Sequence, residues 1–271
     1  MATARVNGIN IHYEIDGTGE PLLLIMGLGA NTTGWYRQIP EFSHEYQVIA
    51  FDNRGAGRSD KPNEAYSIAQ MADDAHGLMV ELGIDSAHIF GMSLGGMIAQ
   101  ELALRHSQGV RTLVLGGTMA GGPGAVFAGP EVVQLFISLG GLPPLQAIEA
   151  GLTLLYSEEY IRANKGELVR RSLLNAHLMA PMYAIQRQFM AVVGFNTVSR
   201  LAEIEAPTLV LSATADRVMP PQNARVLVEG ISSARLVELD GAGHGFLVEK
   251  ANEANAAVLG FLQERRSNAP A

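Results

Sequence analysis

Gly91-Met92-Ser93-Leu94-Gly95 stands between an apolar run, His88-Ile89-Phe90, and a segment of helical character, Met97-Ile98-Ala99-Gln100-Glu101-Leu102-Ala103. A chain that passes from strand to helix over so few residues has to turn sharply. A Cβ at either flanking position would collide with neighbouring backbone, so glycine is required on both sides. A serine at the apex of such a turn projects its hydroxyl from the edge of the sheet, where it is a candidate nucleophile.

A serine nucleophile needs a base to take its proton and an acid to orient that base. Pro207-Thr208-Leu209-Val210-Leu211-Ser212 reads as a buried strand, and the polar loop after it, Ala213-Thr214-Ala215-Asp216-Arg217, places Asp216 just beyond its carboxyl end. Ala234-Arg235-Leu236-Val237-Glu238-Leu239 reads as another strand, followed by the glycine-rich loop Asp240-Gly241-Ala242-Gly243-His244-Gly245. The chain order is therefore Ser93, Asp216, His244. Spacing alone leaves two other carboxylates open, Asp240, four residues before His244, and Asp52, which also ends a strand.

With these motifs the chain resembles serine-dependent members of the α/β-hydrolase fold family over residues 21–262, in which the order nucleophile, acid, histidine is usual. Leu22-Leu23-Leu24-Ile25-Met26-Gly27-Leu28-Gly29 is similar to the family's strand and oxyanion loop, with Met26 where histidine is usual. The resemblance implies that the backbone N–H groups of Leu28 and Leu94 form the oxyanion hole, and it favours Asp216 as the acid. Phe51-Asp52-Asn53-Arg54-Gly55-Ala56-Gly57-Arg58-Ser59-Asp60 resembles the family's strand-end turn, to which a structural role is assigned.

The fold expected is α/β, a doubly wound, mostly parallel eight-stranded sheet flanked by helices, with an inserted helical cap. A hairpin over residues 4–16 turns at Asn7-Gly8, and strands follow near 22–26, 47–52, 88–91, 111–116, 208–212 and 235–239. Helical periodicity is read over 68–83, 94–106, 222–228 and 245–264. Strand signals vanish between Gly121-Gly122-Pro123-Gly124 and Ala206-Pro207, so residues 121–200 are expected to form the cap, with helices near 131–139, 145–156, 167–179 and 182–193. Residues 1–120 and 201–271 then form the core domain. Six cations against five acids leave the cap nearly neutral, so most of the net charge of −8 falls on the core.

Composition narrows the function. A length of 271 residues with 48% hydrophobic content supports a sizeable core, and the absence of cysteine excludes disulfides and thiolate–metal sites. No apolar run approaches a membrane span, and the opening Met1-Ala2-Thr3-Ala4-Arg5 leads into a polar segment, which sets the expectation of a cytoplasmic protein without a membrane partner. The negative charge argues against nucleic acid as a partner. No His-Glu-x-x-His pairing is present and Gly27-x-Gly29 lacks the third glycine of a dinucleotide fingerprint, so neither a metal nor a cofactor is expected. His12, His44, His76, His88, His106 and His177 are read as surface or core residues. Oligomeric state is left open.

An aspartate in place of Ser93 would imply epoxide or haloalkane chemistry, and the family's C–C bond hydrolases usually carry Asn where Met92 stands. The resemblance is strongest to small bacterial carboxylesterases, methylesterases and enol-lactone hydrolases. It implies a carboxylic ester hydrolase acting through an acyl-enzyme on a small, largely apolar substrate, with lactone opening as the alternative. Cofactor-free haloperoxidase-like chemistry and a ligand receptor on the same scaffold remain further alternatives. Substrate is expected to meet an apolar wall built from Trp35, Met119, Met179, Met182 and Phe189, with Arg187 as a rival feature that would favour an anionic substrate.

Overall fold

Asn7 and Gly8 take φ of 47° and 84°, the left-handed pair that a tight hairpin turn uses, and join β1 (Ala2–Val6) to β2 (Ile9–Asp16). The computed structural model describes residues 2–266. Six further strands follow: β3 (Glu20–Ile25), β4 (Tyr46–Phe51), β5 (Ala87–Met92), β6 (Val110–Gly116), β7 (Thr208–Ala213) and β8 (Ala234–Leu239). They form one eight-stranded sheet in the order β1-β2-β4-β3-β5-β6-β7-β8. The pairs β1/β2 and β2/β4 are antiparallel and the remaining pairs parallel, as expected of a doubly wound sheet.

Both faces of the parallel strands are buried, because side chains alternate across the sheet while the crossover helices cover each side. Leu23, Ile25, Ile89, Leu113 and Leu115 pack on the face covered by α2 (Ile68–Glu81), α3 (Leu94–Arg105) and α8 (Gln222–Gly230). Leu22, Leu24, Phe90 and Val114 pack on the other, under α1 (Ile39–Phe42), α9 (Phe246–Glu249) and α10 (Ala251–Arg266). Each such side chain contributes about 1.5–3 kcal/mol on full burial. The winding reverses between the neighbours β3 and β5, and a crevice opens beyond the carboxyl ends of strands at such a point. The segment holding Leu28 leaves β3 there, and Ser93 leaves β5.

Between β6 and β7 the described chain adds no strand to the sheet and carries α4 (Pro130–Ser138), α5 (Pro144–Leu155), α6 (Glu158–Leu174) and α7 (Met182–Val193). The ends of this insertion are tied by a bridge between Gly121 and Asn196 and by the Thr197 N–H, which donates to the Ala120 carbonyl at 2.8 Å. Two helices differ from expectation. The one read over 167–179 begins at Glu158, where the Ser157 hydroxyl accepts from the Tyr160 N–H, and ends at Leu174. Its apolar periodicity is weak because only Leu168 is buried. The helix read over 245–264 is two helices, broken at the non-helical Lys250. None of the described helices is long and apolar enough to cross a membrane.

Candidate active site

Ser93 sits at φ 57°, ψ −121°, a left-handed conformation that costs a non-glycine residue of the order of 1–3 kcal/mol. Neighbours hold it there. Its N–H donates to the Gly116 carbonyl at 2.8 Å, and its own carbonyl accepts from the Thr118 hydroxyl at 2.8 Å and the Gly96 N–H at 2.9 Å. The flanking glycines are demanded by close approach. A Cβ on Gly91 would lie 2.2 Å from the Gly95 carbonyl oxygen, and one on Gly95 only 2.0 Å from that of Ile25.

The loops after β7 and β8 converge on the same crevice, joined by the Ala215 N–H donating to the Ala242 carbonyl at 3.0 Å. His244 Nδ1 lies 2.7 Å from Asp216 Oδ2. The other carboxylate oxygen of Asp216 accepts from the N–H groups of Val218 and Met219, both at 2.8 Å, so the side chain is fixed on two sides. Asp240 is engaged elsewhere, accepting from the Thr214 hydroxyl at 3.1 Å. Asp52 lies under the turn after β4 and accepts from the N–H groups of Thr32 and Arg58, each at 2.7 Å. Among the three candidate acids, the one beside the imidazole is Asp216.

Ser93 and His244 open on one cavity of about 1270 Å³. Leu28 and Leu94 line it too, and among the described residues no acceptor takes the N–H of either. Gly27 lets their two loops meet, since a Cβ there would stand 3.0 Å from Ser93 Cβ. The remaining wall is largely apolar, with Met119 from the core side, Val132 and Phe136 from α4, Leu154 from α5, and Met182, Phe189 and Met190 from α7. Tyr156 adds a phenol that burial pushes well above its ordinary pKa, so it stays neutral at the wall.

Two expected pocket residues are not on that wall. Trp35 is wholly buried, its ring 5.0 Å from that of Phe90 in the core beneath the site, while its neighbours Gly34 and Tyr36 face the cavity. The short turn Thr32–Trp35, capped by the Asn31 side chain, directs the indole down onto the sheet. Met179 is 67% exposed, ending a short turn in which Leu178 takes the buried position. Met119, Met182 and Phe189 lie on the wall. Arg187 lines the cavity as well, its Nη2 donating to Asn63 Oδ1 at 3.4 Å.

Other polar residues at the site carry no motif in the sequence. Glu249 accepts from the Gly243 N–H at 3.1 Å, the Ser157 N–H at 3.2 Å and the Ser157 hydroxyl, and so ties the His244 loop to the start of α6. Gln188 of α7 is fully buried and reaches Gly29. The one available signal for Gln188 is its place on a stripe of small buried residues, Ala184 and Ala191, where a polar side chain needs a partner.

A family model described as the alpha/beta hydrolase fold matches residues 20–251. The putative carbamate hydrolase RutD of Azorhizobium caulinodans is 31% identical, covering 97% of this chain and 99% of that protein. The 2-hydroxy-6-oxo-6-phenylhexa-2,4-dienoate hydrolase of Comamonas testosteroni is 32% identical over 94% of this chain and 92% of its own. Among solved structures, the enol-lactonase of Burkholderia xenovorans LB400 superposes with a TM-score of 0.84 at 29% identity, covering 97% of this chain and 100% of that one. The chain is a hydrolase-fold protein and belongs to the α/β hydrolase family.

Proposed function

We propose that the protein is a serine hydrolase that cleaves the carboxylic ester of a largely apolar small molecule through an acyl-enzyme. The observation that carries this reading is Ser93 at a strained turn on the same cavity wall as an imidazole held by a buried carboxylate. His244, with its Nδ1 engaged by Asp216, has Nε2 free to accept the Ser93 proton as the hydroxyl oxygen attacks the acyl carbon. Asp216 holds the ring orientation and stabilises the imidazolium. Charge on the acyl oxygen is met by the N–H groups of Leu28 and Leu94, each lowering the barrier by roughly 3 kcal/mol. The imidazolium protonates the leaving alcohol, and water deprotonated by His244 then releases the acid. The chemistry uses no metal or cofactor.

In the same reading residues 121–200 act as a cap over the core domain formed by 1–120 and 201–271, and the apolar faces of α4 and α7 select the acyl group. The lining favours an apolar ester over a minimal polar carbamate, because Val132, Phe136, Met182, Phe189 and Met190 offer a polar group nothing to bond. Met92, where C–C bond hydrolases usually carry Asn, stands against the reaction of the dienoate hydrolase. The likeness to the enol-lactonase supports lactone opening as the second reading, since the same attack on a cyclic ester leaves acid and alcohol in one product.

The test compares kcat/KM for aryl esters, methyl esters, carbamates and lactones on the parent and on Ser93→Ala. Highest kcat/KM for apolar acyclic esters, with a loss of about 10⁴-fold or more in the variant, supports the proposal. Preference for lactones selects the second reading. Parent-like rates in a folded Ser93→Ala protein remove both.

A further inference from the structure

The segment that follows β3 is held at three points, and the hold at each comes from a different side chain. Asn53 Nδ2 donates to the Met26 carbonyl at 2.9 Å, and Asp52 Oδ1 accepts from the Thr32 N–H at 2.7 Å. Both belong to the turn after β4. The third comes from the insertion: Gln188 Oε1 accepts from the Gly29 N–H at 2.8 Å. Its Nε2 donates to the Arg54 carbonyl at 2.8 Å, so a side chain with 0% exposure bridges two core loops from α7. The pairing also fixes which way the amide faces, because Gly29 offers a donor and Arg54 an acceptor.

We propose that Gln188 is a positioning residue that aims the Leu28 N–H from the insertion. Its bond to Gly29 fixes the peptide plane between Leu28 and Gly29, and with it the backbone rotation that sets the Leu28 amide. Gly29 itself, at φ 65°, restrains that plane little. Arg54 is a firm anchor for the other end: it is buried, its Nη2 donates to Asp74 Oδ1 at 2.9 Å and its Nε donates to Asp74 Oδ2. The same helix carries Met182, Phe189 and Met190 on the cavity wall, so the helix that meets the substrate also holds the loop that meets the developing charge. The inference rests on Leu28 as an oxyanion donor, as proposed above.

Gln188→Met keeps the length of the side chain and removes both hydrogen bonds. It is expected to lower kcat about 10–100-fold while KM stays within about threefold, a fraction of what loss of an oxyanion donor costs. Affinity for a boronic acid, which forms a tetrahedral adduct on serine, should fall by the same factor, while affinity for the product carboxylate holds within about twofold. Gln188→Glu reproduces both bonds only when its carboxyl is protonated, so its kcat relative to the parent should rise as pH falls. A folded Gln188→Met protein with unchanged kcat and boronate affinity contradicts the proposal. So does an equal loss of boronate and product binding, which marks a collapsed pocket. If that variant does not fold, amide exchange of the parent decides: Gly29 protected supports the bond, and exchange at the rate of an open chain overturns it. Activity surviving Ser93→Ala would instead remove the reading beneath the proposal.

Discussion

His244 Nδ1 and Asp216 Oδ2 stand 2.7 Å apart across 28 residues of sequence, each on the loop that leaves a strand at the carboxyl edge of the sheet. Asp240, much closer along the chain, is bound to Thr214 instead. Asp216→Asn is therefore expected to lower kcat by about 10³–10⁴-fold, the scale of the equivalent change in a serine protease triad. Asp240→Asn should lower it less than about threefold. Steady-state rates on one aryl ester check both, and equal effects would reassign the acid.

Gly95 sets how closely α3 approaches β3. Alanine there would put its Cβ 2.0 Å from the Ile25 carbonyl oxygen, a backbone atom that cannot swing aside. Gly95→Ala should cost about 3 kcal/mol or more and lower Tm by about 6–12 °C. Gly166, inside α6, has nothing within 4 Å of the same position. Gly166→Ala should gain about 0.5–1 kcal/mol from helix propensity alone, a contrast that calorimetry of the two variants reads directly.

Arg187 reaches the cavity, and its guanidinium bonds to Asn63. An apolar ester as substrate leaves it no special role with an anion. Arg187→Ala should then change kcat/KM for matched neutral and anionic esters by factors within about fivefold of each other, the scale of an exposed ion pair. A selective loss on the anionic ester would give the arginine a carboxylate to bind.

Asp73 offers a test of stability rather than chemistry. Burial raises its pKa, but hydrogen bonds from Arg105 and His106 outweigh burial and hold it below the ordinary carboxylate range. A depressed pKa contributes stability that is present above the unfolded value and lost as pH falls through the folded one. Asp73→Asn should therefore cost no more than about 1 kcal/mol at neutral pH, because the pair is partly exposed. The difference from the parent should close below about pH 4 in urea unfolding.

The parallel strands were legible because each is a short apolar run bounded by glycine, proline or polar loops, and Ser93, Asp216 and His244 sit in loops at their ends. The helix α2 carries an apolar stripe and α3 a continuous run of small and apolar residues buried on all sides, so both are legible to within a residue or two. The bounds of α6 leave little trace in the sequence, because its burial is confined to Leu168 and only the Ser157 cap marks its start. Trp35, expected on the pocket wall, lies in the core instead because a short helical turn rotates successive side chains to different sides. Gln188 and Glu249 carry no sequence motif because each accepts a backbone N–H from a segment far away in sequence, Gly29 and Ser157 respectively, and such partners leave no local pattern.

A serine hydrolase of this kind carries a covalent acyl group on Ser93 during turnover. The group can be trapped by mixing the protein with a p-nitrophenyl ester, quenching in acid within the first turnover and mapping peptides by mass spectrometry. A burst of nitrophenol equal to the enzyme is expected, with one acyl group on the peptide carrying Ser93 that is absent from Ser93→Ala. Steady turnover of the ester with that peptide unmodified, or with the acyl group on another residue, would contradict it.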